Sequence, residues 1–250
     1  MSLVKAAVID AGENLEIIVR GGAGYDNVDL EAASAKNIVV MNTPGQNSNA
    51  VAELALGMMV YFARGQFNGK AGTELRGKKL GIHAYGNVGQ FVAEIAHGFK
   101  MDVYAYDPFQ DNKEIEKDGV KPVGSVEELY KTCQYVSLHM PANGDTKASI
   151  NYDLMKLMPK NGTLVNTARK EVICEESLQK IMEERDDFNY ISDIAPDCKD
   201  VFEEKYEGRY YFTPKKMGAQ TAEANINAGI AAANQIKNYF ENGDTTFKVN

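Results

Sequence analysis

The sequence predicts an α/β fold built on a doubly wound parallel sheet, and three observations predict it. Eight short runs rich in apolar and β-branched residues alternate with helix-patterned stretches along the 250 residues. Most of these runs are nearly continuous in apolar character, as strands covered on both faces are. One of them passes straight into a helix pattern through a glycine-bearing loop, Ala84-Tyr85-Gly86-Asn87-Val88-Gly89.

The elements follow in order. LEIIVR (15–20) and IVVMN (38–42) read as strands, with VDLEAASAKN between them. Residues 47–64 form a long apolar helix carrying small side chains. KLGIHAY (79–85) is a strand and NVGQFVAEIAHGF the helix after it. DVYAYD (102–107), YVSLHM (135–140), GTLVNTA (162–168), YISDIA (190–195) and YYFTP (210–214) are further strands. SVEELYKTC and CEESLQKIMEE supply helices among them, and a second long helix, rich in Ala and Asn, spans 220–242.

Composition narrows the function. A net charge of −8 argues against nucleic acid as a partner, because phosphate binding needs a basic face. No apolar run approaches the roughly 18 residues of a membrane span, and the N-terminus lacks a signal-peptide pattern. A cytoplasmic protein without membrane contact is expected. The three cysteines, Cys133, Cys174 and Cys198, show no C-x-x-C spacing and fit reduced thiols. The three histidines are scattered, so no metal site is expected.

The loop at 84–89 lacks one glycine of the G-x-G-x-x-G pattern, with Ala84 at the tight-turn position. Its place between strand and helix suits dinucleotide binding. Gly86 allows a pyrophosphate to approach the backbone, Gly89 lets the helix pack on the sheet, and the helix N-terminus faces the anion. Asp107, 18 residues after Gly89, is placed to accept hydrogen bonds from the ribose hydroxyls of NAD and to repel the 2′-phosphate of NADP. The alternative is a plain strand-turn-helix with a surface aspartate.

RGGAGYDNVDLEAASAKNIVVMNTPGQNSNAVAELALGMM (20–59), the glycine loop and LVNTARKEVICEESL (164–178) together resemble the D-isomer-specific 2-hydroxyacid dehydrogenases, from about Ala6 to the C-terminus. The resemblance implies a Rossmann-type NAD-binding domain over 47–218. It also implies a flavodoxin-like substrate domain, 1–46 plus 219–250, incomplete at its front because the family carries a longer N-terminal segment. NAD would be held by Tyr85, Gly86, Asn87, Val88, Gly89 and Asp107, with His139, Met140, Pro141, Thr167, Ala168 and Asp193 around the nicotinamide. Arg169 matches the arginine that clamps the substrate carboxylate, a task suited to a planar guanidinium. Gly22 and Ala23 match the backbone cradle for that carboxylate, and Arg20 and Asn47 match substrate contacts. Arg20 also reads as an ordinary ion-pair partner, and Asn47 as a helix N-cap.

The family's acid/base histidine is absent. Its segment reads TPKKMGAQT (213–221), with Lys216 or Lys215 at the position according to the direction of counting. The partner glutamate is replaced by Cys198, beside Asp197. Either the chain is inactive or a lysine has taken the role. Lysine is a weak base at its ordinary pKa of about 10.4, and burial with a neighbouring cation favours its neutral form. A lysine also needs no carboxylate to fix a tautomer.

The expected activity is NAD-dependent oxidation of a phosphorylated 2-hydroxy acid, 3-phosphoglycerate to 3-phosphohydroxypyruvate, with equilibrium favouring the reverse. The alternatives are reduction of another 2-keto acid such as glyoxylate or hydroxypyruvate, and an inactive NAD-binding fragment. The helix at 47–64 resembles the family's dimer-forming segment, which implies a homodimer; otherwise it is buried within one chain.

Overall fold

The computed structural model describes residues 3–250, and the chain divides into two compact units, Met1–Ala50 with Ala219–Asn250, and Val51–Gly218.

The smaller unit pairs β1 (Ile17–Arg20) with β2 (Val39–Asn42) in parallel, from Ile17 opposite Val39 to Arg20 opposite Asn42. The crossover includes the helix Leu30–Ala35, whose first turn is capped by the Asp29 carboxylate accepting from Ala32 N at 3.1 Å. Ile9, Val28, Ala33, Ile38 and Val40 form its core. The C-terminal tail is fastened to β2: Val249 N–H donates to Val40 O at 2.9 Å, and the Asn250 side chain bonds Val40 N and Ile38 O. The helix Ala222–Asn242 starts at the Thr221 cap and stops at Gly243, which takes the left-handed conformation at φ 67°. The short helix Ala6–Asp10 was not expected; its five residues are too few to show a helical period.

The larger unit is a seven-stranded, wholly parallel sheet. Its strands are β3 (Lys79–His83), β4 (Asp102–Tyr106), β5 (Lys121–Pro122), β6 (Tyr135–Leu138), β7 (Thr163–Asn166), β8 (Asn189–Ser192) and β9 (Tyr210–Phe212). The order β5-β4-β3-β6-β7-β8-β9 reverses direction between β3 and β6. That reversal is the switch point of a doubly wound Rossmann sheet, where the carboxyl ends of the strands open a crevice. β6 and β7 are buried at every position, which is why their sequences show no alternation. The two-residue edge strand β5 carries a proline and no strand signal. The helix Ser48–Ala63 presents Ala52, Ala55, Leu56, Met58 and Met59 to the core of this unit.

Candidate active site

The glycine loop leaves β3 at His83 and enters the helix Asn87–Gly98. Ala84 occupies the tight turn at φ 77°, a left-handed conformation that costs a non-glycine residue about 1 kcal/mol. Two main-chain bonds hold it: Ala84 N–H donates to Tyr106 O at 2.9 Å, and Tyr85 N–H donates to the Asp107 carboxylate at 2.7 Å. A Cβ on Gly89 would sit 2.7 Å from Ala84 O and 3.1 Å from Ile82 Cγ2, so helix and strand meet there too closely for a side chain. Gly86 differs. Its backbone is extended, and an added Cβ would meet nothing within 4 Å. The fold does not need glycine there, whereas an anion resting on the backbone does. Gly86 is also the helix N-cap and offers no side chain to the first-turn N–H groups. The loop therefore fits a pyrophosphate.

Tyr85 departs from the expected cofactor contact. It is 2% exposed, and burial, then the bond its hydroxyl donates to Asp118 at 2.9 Å, pushes the phenol well above its usual range. Asp107 carries two bonds, from Tyr85 N at 2.7 Å and Phe109 N at 2.8 Å, one on each oxygen. Each oxygen keeps a lone pair for a ribose hydroxyl. Asn87 is exposed and Val88 half-buried on the first turn.

Across the switch point, His139 N–H donates to His83 O at 3.0 Å. Burial lowers the His83 pKa to about 4, and burial followed by the charge of His83 lowers that of His139 to about 3. Both rings are neutral at neutral pH. His139 Nε2 and Thr167 Oγ1 are buried without a hydrogen-bond partner among the described residues. A buried polar atom left unpaired is costly, and a polar ligand would satisfy both. Met140 is buried and Pro141 exposed beside them, the Pro141 carbonyl accepting from Thr146 Oγ1 at 2.5 Å.

Beyond β7 the chain turns through Thr167, Ala168 and Arg169. The Ala168 carbonyl accepts from Arg169 Nη1 at 3.0 Å and from Lys216 Nζ at 3.1 Å. Asn166, 2% exposed, fixes this turn: its Oδ1 accepts from Ala168 N at 3.0 Å and its Nδ2 donates to Arg169 O at 2.9 Å. Lys216 is exposed, so the burial expected to favour its neutral form is not present; the neighbouring Arg169 is. Lys215 is exposed as well, and its carbonyl accepts from Thr213 Oγ1 at 3.0 Å.

Asp193 takes a different part from the one expected. It is 1% exposed, and its carboxylate accepts from Met217 N at 2.9 Å, Gly218 N at 2.8 Å and Thr213 Oγ1 at 3.0 Å. It braces the segment that carries Lys216. Near Cys198, the carboxylate comes from elsewhere in the chain: Glu175 accepts from Asp197 N at 2.7 Å and Cys198 N at 3.0 Å. Burial, then Glu175, pushes the Cys198 thiol up to about 12, so it stays protonated. Asn166 and Glu175 both lie in the segment 164–178 that carries the resemblance, but nothing in the sequence pointed to their partners. One is an ordinary strand-end residue, the other a first-turn acid of a helix.

In the smaller unit, Arg20, Gly22 and Asn47 line a cavity of about 500 Å³ together with Asn27, Gln220 and Asn225. Gly22 has φ 133° and lies under the Arg20 guanidinium, which an added Cβ would strike. Its N–H is committed to Thr43 Oγ1 at 2.5 Å and its carbonyl accepts from Thr43 N at 3.1 Å. The expected carboxylate cradle is therefore not supplied by Gly22 N–H. Ala23 is exposed, with its carbonyl held by Asn42 Nδ2 at 2.7 Å.

No cluster of His, Cys, Asp and Glu suited to a metal occurs among the described residues, and no helix there is long and apolar enough to cross a membrane.

Comparisons with known proteins give the family of the chain. The profile of the D-isomer specific 2-hydroxyacid dehydrogenase NAD binding domain matches residues 55–203. D-3-phosphoglycerate dehydrogenase of Methanocaldococcus jannaschii is 36% identical over 251 residues, covering 92% of this chain and 46% of the relative. The chain thus spans about half the length of that protein. Hydroxypyruvate reductase of Thermotoga maritima is 34% identical over 249 residues, covering 93% of this chain and 80% of the relative. The crystal structure of NAD+-bound 3-phosphoglycerate dehydrogenase from Entamoeba histolytica superposes with a TM-score of 0.91 at 49% identity, covering 100% of this chain and 80% of that one.

Proposed function

The chain belongs to the D-isomer specific 2-hydroxyacid dehydrogenases, a family of NAD-dependent oxidoreductases, and from that premise we propose that it interconverts D-3-phosphoglycerate and 3-phosphohydroxypyruvate. The observation that carries the reading is the meeting of Lys216 and Arg169 at the Ala168 carbonyl. NAD, held at the loop of Gly86 and Gly89 with Asp107, would supply the hydride chemistry at the substrate's C2. Arg169 pairs with the substrate carboxylate and polarises the carbonyl. Lys216 supplies the proton: in reduction its ammonium protonates the carbonyl oxygen, and in oxidation the neutral amine takes the hydroxyl proton. Reduction begins from the ammonium form that donates to Ala168 O, which suits the direction equilibrium favours.

Arg20 and Asn47 are proposed as substrate contacts, with Arg20 meeting the phosphate, and Ala23 N–H as a donor to the carboxylate. Phosphorylated substrate, homodimer and cytoplasmic location belong to the same proposal. The test is loss of NADH absorbance with 3-phosphohydroxypyruvate, hydroxypyruvate and glyoxylate in parallel. The highest kcat/KM is expected on the phosphorylated acid, a preference lost in Arg20→Ala. Equal or better turnover of the unphosphorylated acids would select the second reading, a hydroxypyruvate reductase, which the Thermotoga relative favours. Light scattering that finds only monomer would remove the dimer.

A further inference from the structure

Asn166 is the last residue of β7, almost wholly buried, and its amide bonds both ends of one turn as well as a tyrosine of β8. Oδ1 receives the Ala168 N–H at 3.0 Å, while Nδ2 reaches Arg169 O at 2.9 Å and Tyr190 Oη at 3.3 Å. The peptide carbonyl between those two anchored groups is Ala168 O, the oxygen on which Arg169 Nη1 and Lys216 Nζ meet. The main-chain carbonyl of Asn166 is fixed too, accepting from Ser192 Oγ at 3.1 Å and Asp193 N at 2.9 Å. The turn is thus tied to β8, whose following residue Asp193 holds the backbone on the far side of Lys216.

We propose that Asn166 is a positioning residue for the reaction: its side-chain amide sets the Ala168 carbonyl that spaces Lys216 from Arg169. It touches neither reacting atoms nor cofactor and acts only through that carbonyl. The inference rests on the assignment of Lys216 as acid/base and Arg169 as carboxylate clamp. An aliphatic side chain would leave Ala168 N and Arg169 O to find new partners, and the peptide plane would be free to rotate.

The test compares Asn166→Ala, Asn166→Asp, Lys216→Ala and the parent chain. Asn166→Ala should lower kcat with 3-phosphohydroxypyruvate about 100-fold and raise its KM, as a misplacement of about 1 Å does. NADH affinity, read by fluorescence, should stay within about twofold, and the pH at which kcat half-falls should move. Asn166→Asp keeps the acceptor for Ala168 N and loses the donor to Arg169 O, so intermediate activity is expected; it also serves if the alanine variant fails to fold. Unchanged kcat, KM and pH profile in both variants would overturn the inference while leaving the Lys216 assignment standing. Full activity in Lys216→Ala would instead remove the assignment beneath it. A crystal structure of an Asn166 variant decides independently of turnover. The inference requires the Ala168 carbonyl to have swung away from Lys216 Nζ, and an unmoved carbonyl refutes it.

Discussion

Lys216 Nζ and Arg169 Nη1 donate to the same oxygen, the carbonyl of Ala168, at 3.1 and 3.0 Å. The arrangement sets a permanently charged side-chain type beside one that can give up a proton, the pair that the proposed reaction uses. Arginine as a side-chain type keeps its charge in proteins, whereas lysine can lose its proton.

The two lysines of the TPKK segment should separate cleanly. Lys216→Ala is expected to lower kcat by about 1000-fold, the scale of a lost general acid/base. Lys215→Ala should stay within about threefold, since Lys215 enters the bonding of the segment through its carbonyl alone. Steady-state rates of NADH loss decide it, and the reverse ranking would transfer the role to Lys215.

The three positions of the nucleotide loop should respond differently to small substitutions. Gly86→Ala should leave urea stability within about 0.5 kcal/mol, because its extended backbone accepts any residue, yet weaken NADH binding at least tenfold by filling the anion's space. Gly89→Ala should destabilise the fold by about 1–3 kcal/mol, because its Cβ collides with Ala84 O. Ala84→Gly should stabilise by about 1 kcal/mol through relief of φ 77°. Equal loss of NADH affinity and stability at Gly86 would show that it serves the turn alone.

Much of this was legible beforehand, and the reasons are specific. The strands of the larger sheet were marked by continuous apolar runs, since burial on both faces leaves only one type of residue to choose. Arg169 and Lys216 were nominated by the motifs that carry the family resemblance, and the glycine loop by its place between a strand and a helix. What stayed hidden were partners in space. Asn166 and Thr43 act by bonding loop backbone, and nothing in a single polar residue says which backbone it will reach. Gly22 and Tyr85 show the same limit, each committing one polar group to the protein itself. Glu175 lies 23 residues before the Cys198 amide it holds, outside any local pattern.

Asp193 should prove structural and catalytic at once. Asp193→Asn keeps the shape but turns an NH₂ toward donors from Met217, Gly218 or Thr213. Losing charge-assisted bonds in a buried site costs about 2–3 kcal/mol. Urea denaturation should register that loss, and kcat should fall because the segment bearing Lys216 loses its brace. A variant as stable as the parent would mean that the backbone of residues 213–218 holds itself.

Acid should destabilise the larger unit through His83. Its folded pKa is held to about 4 by burial, against about 6.5 in the unfolded chain. Between those values the unfolded chain binds a proton that the folded one refuses, so stability is whole above about pH 6.5 and declines as pH falls toward about 4. From pH 7 to pH 5 this contributes about 2 kcal/mol of loss. His139, lowered further by burial and by the charge of His83, adds in the same direction. His83→Phe removes the titration while retaining a ring against Tyr106 and Tyr130. The variant should start lower, because the Tyr130 hydroxyl loses its partner at 3.3 Å, but its stability should slope less steeply with pH. Urea midpoints at pH 7 and pH 5 give the comparison. Parallel losses in parent and variant would place the acid sensitivity elsewhere, on groups that titrate without His83.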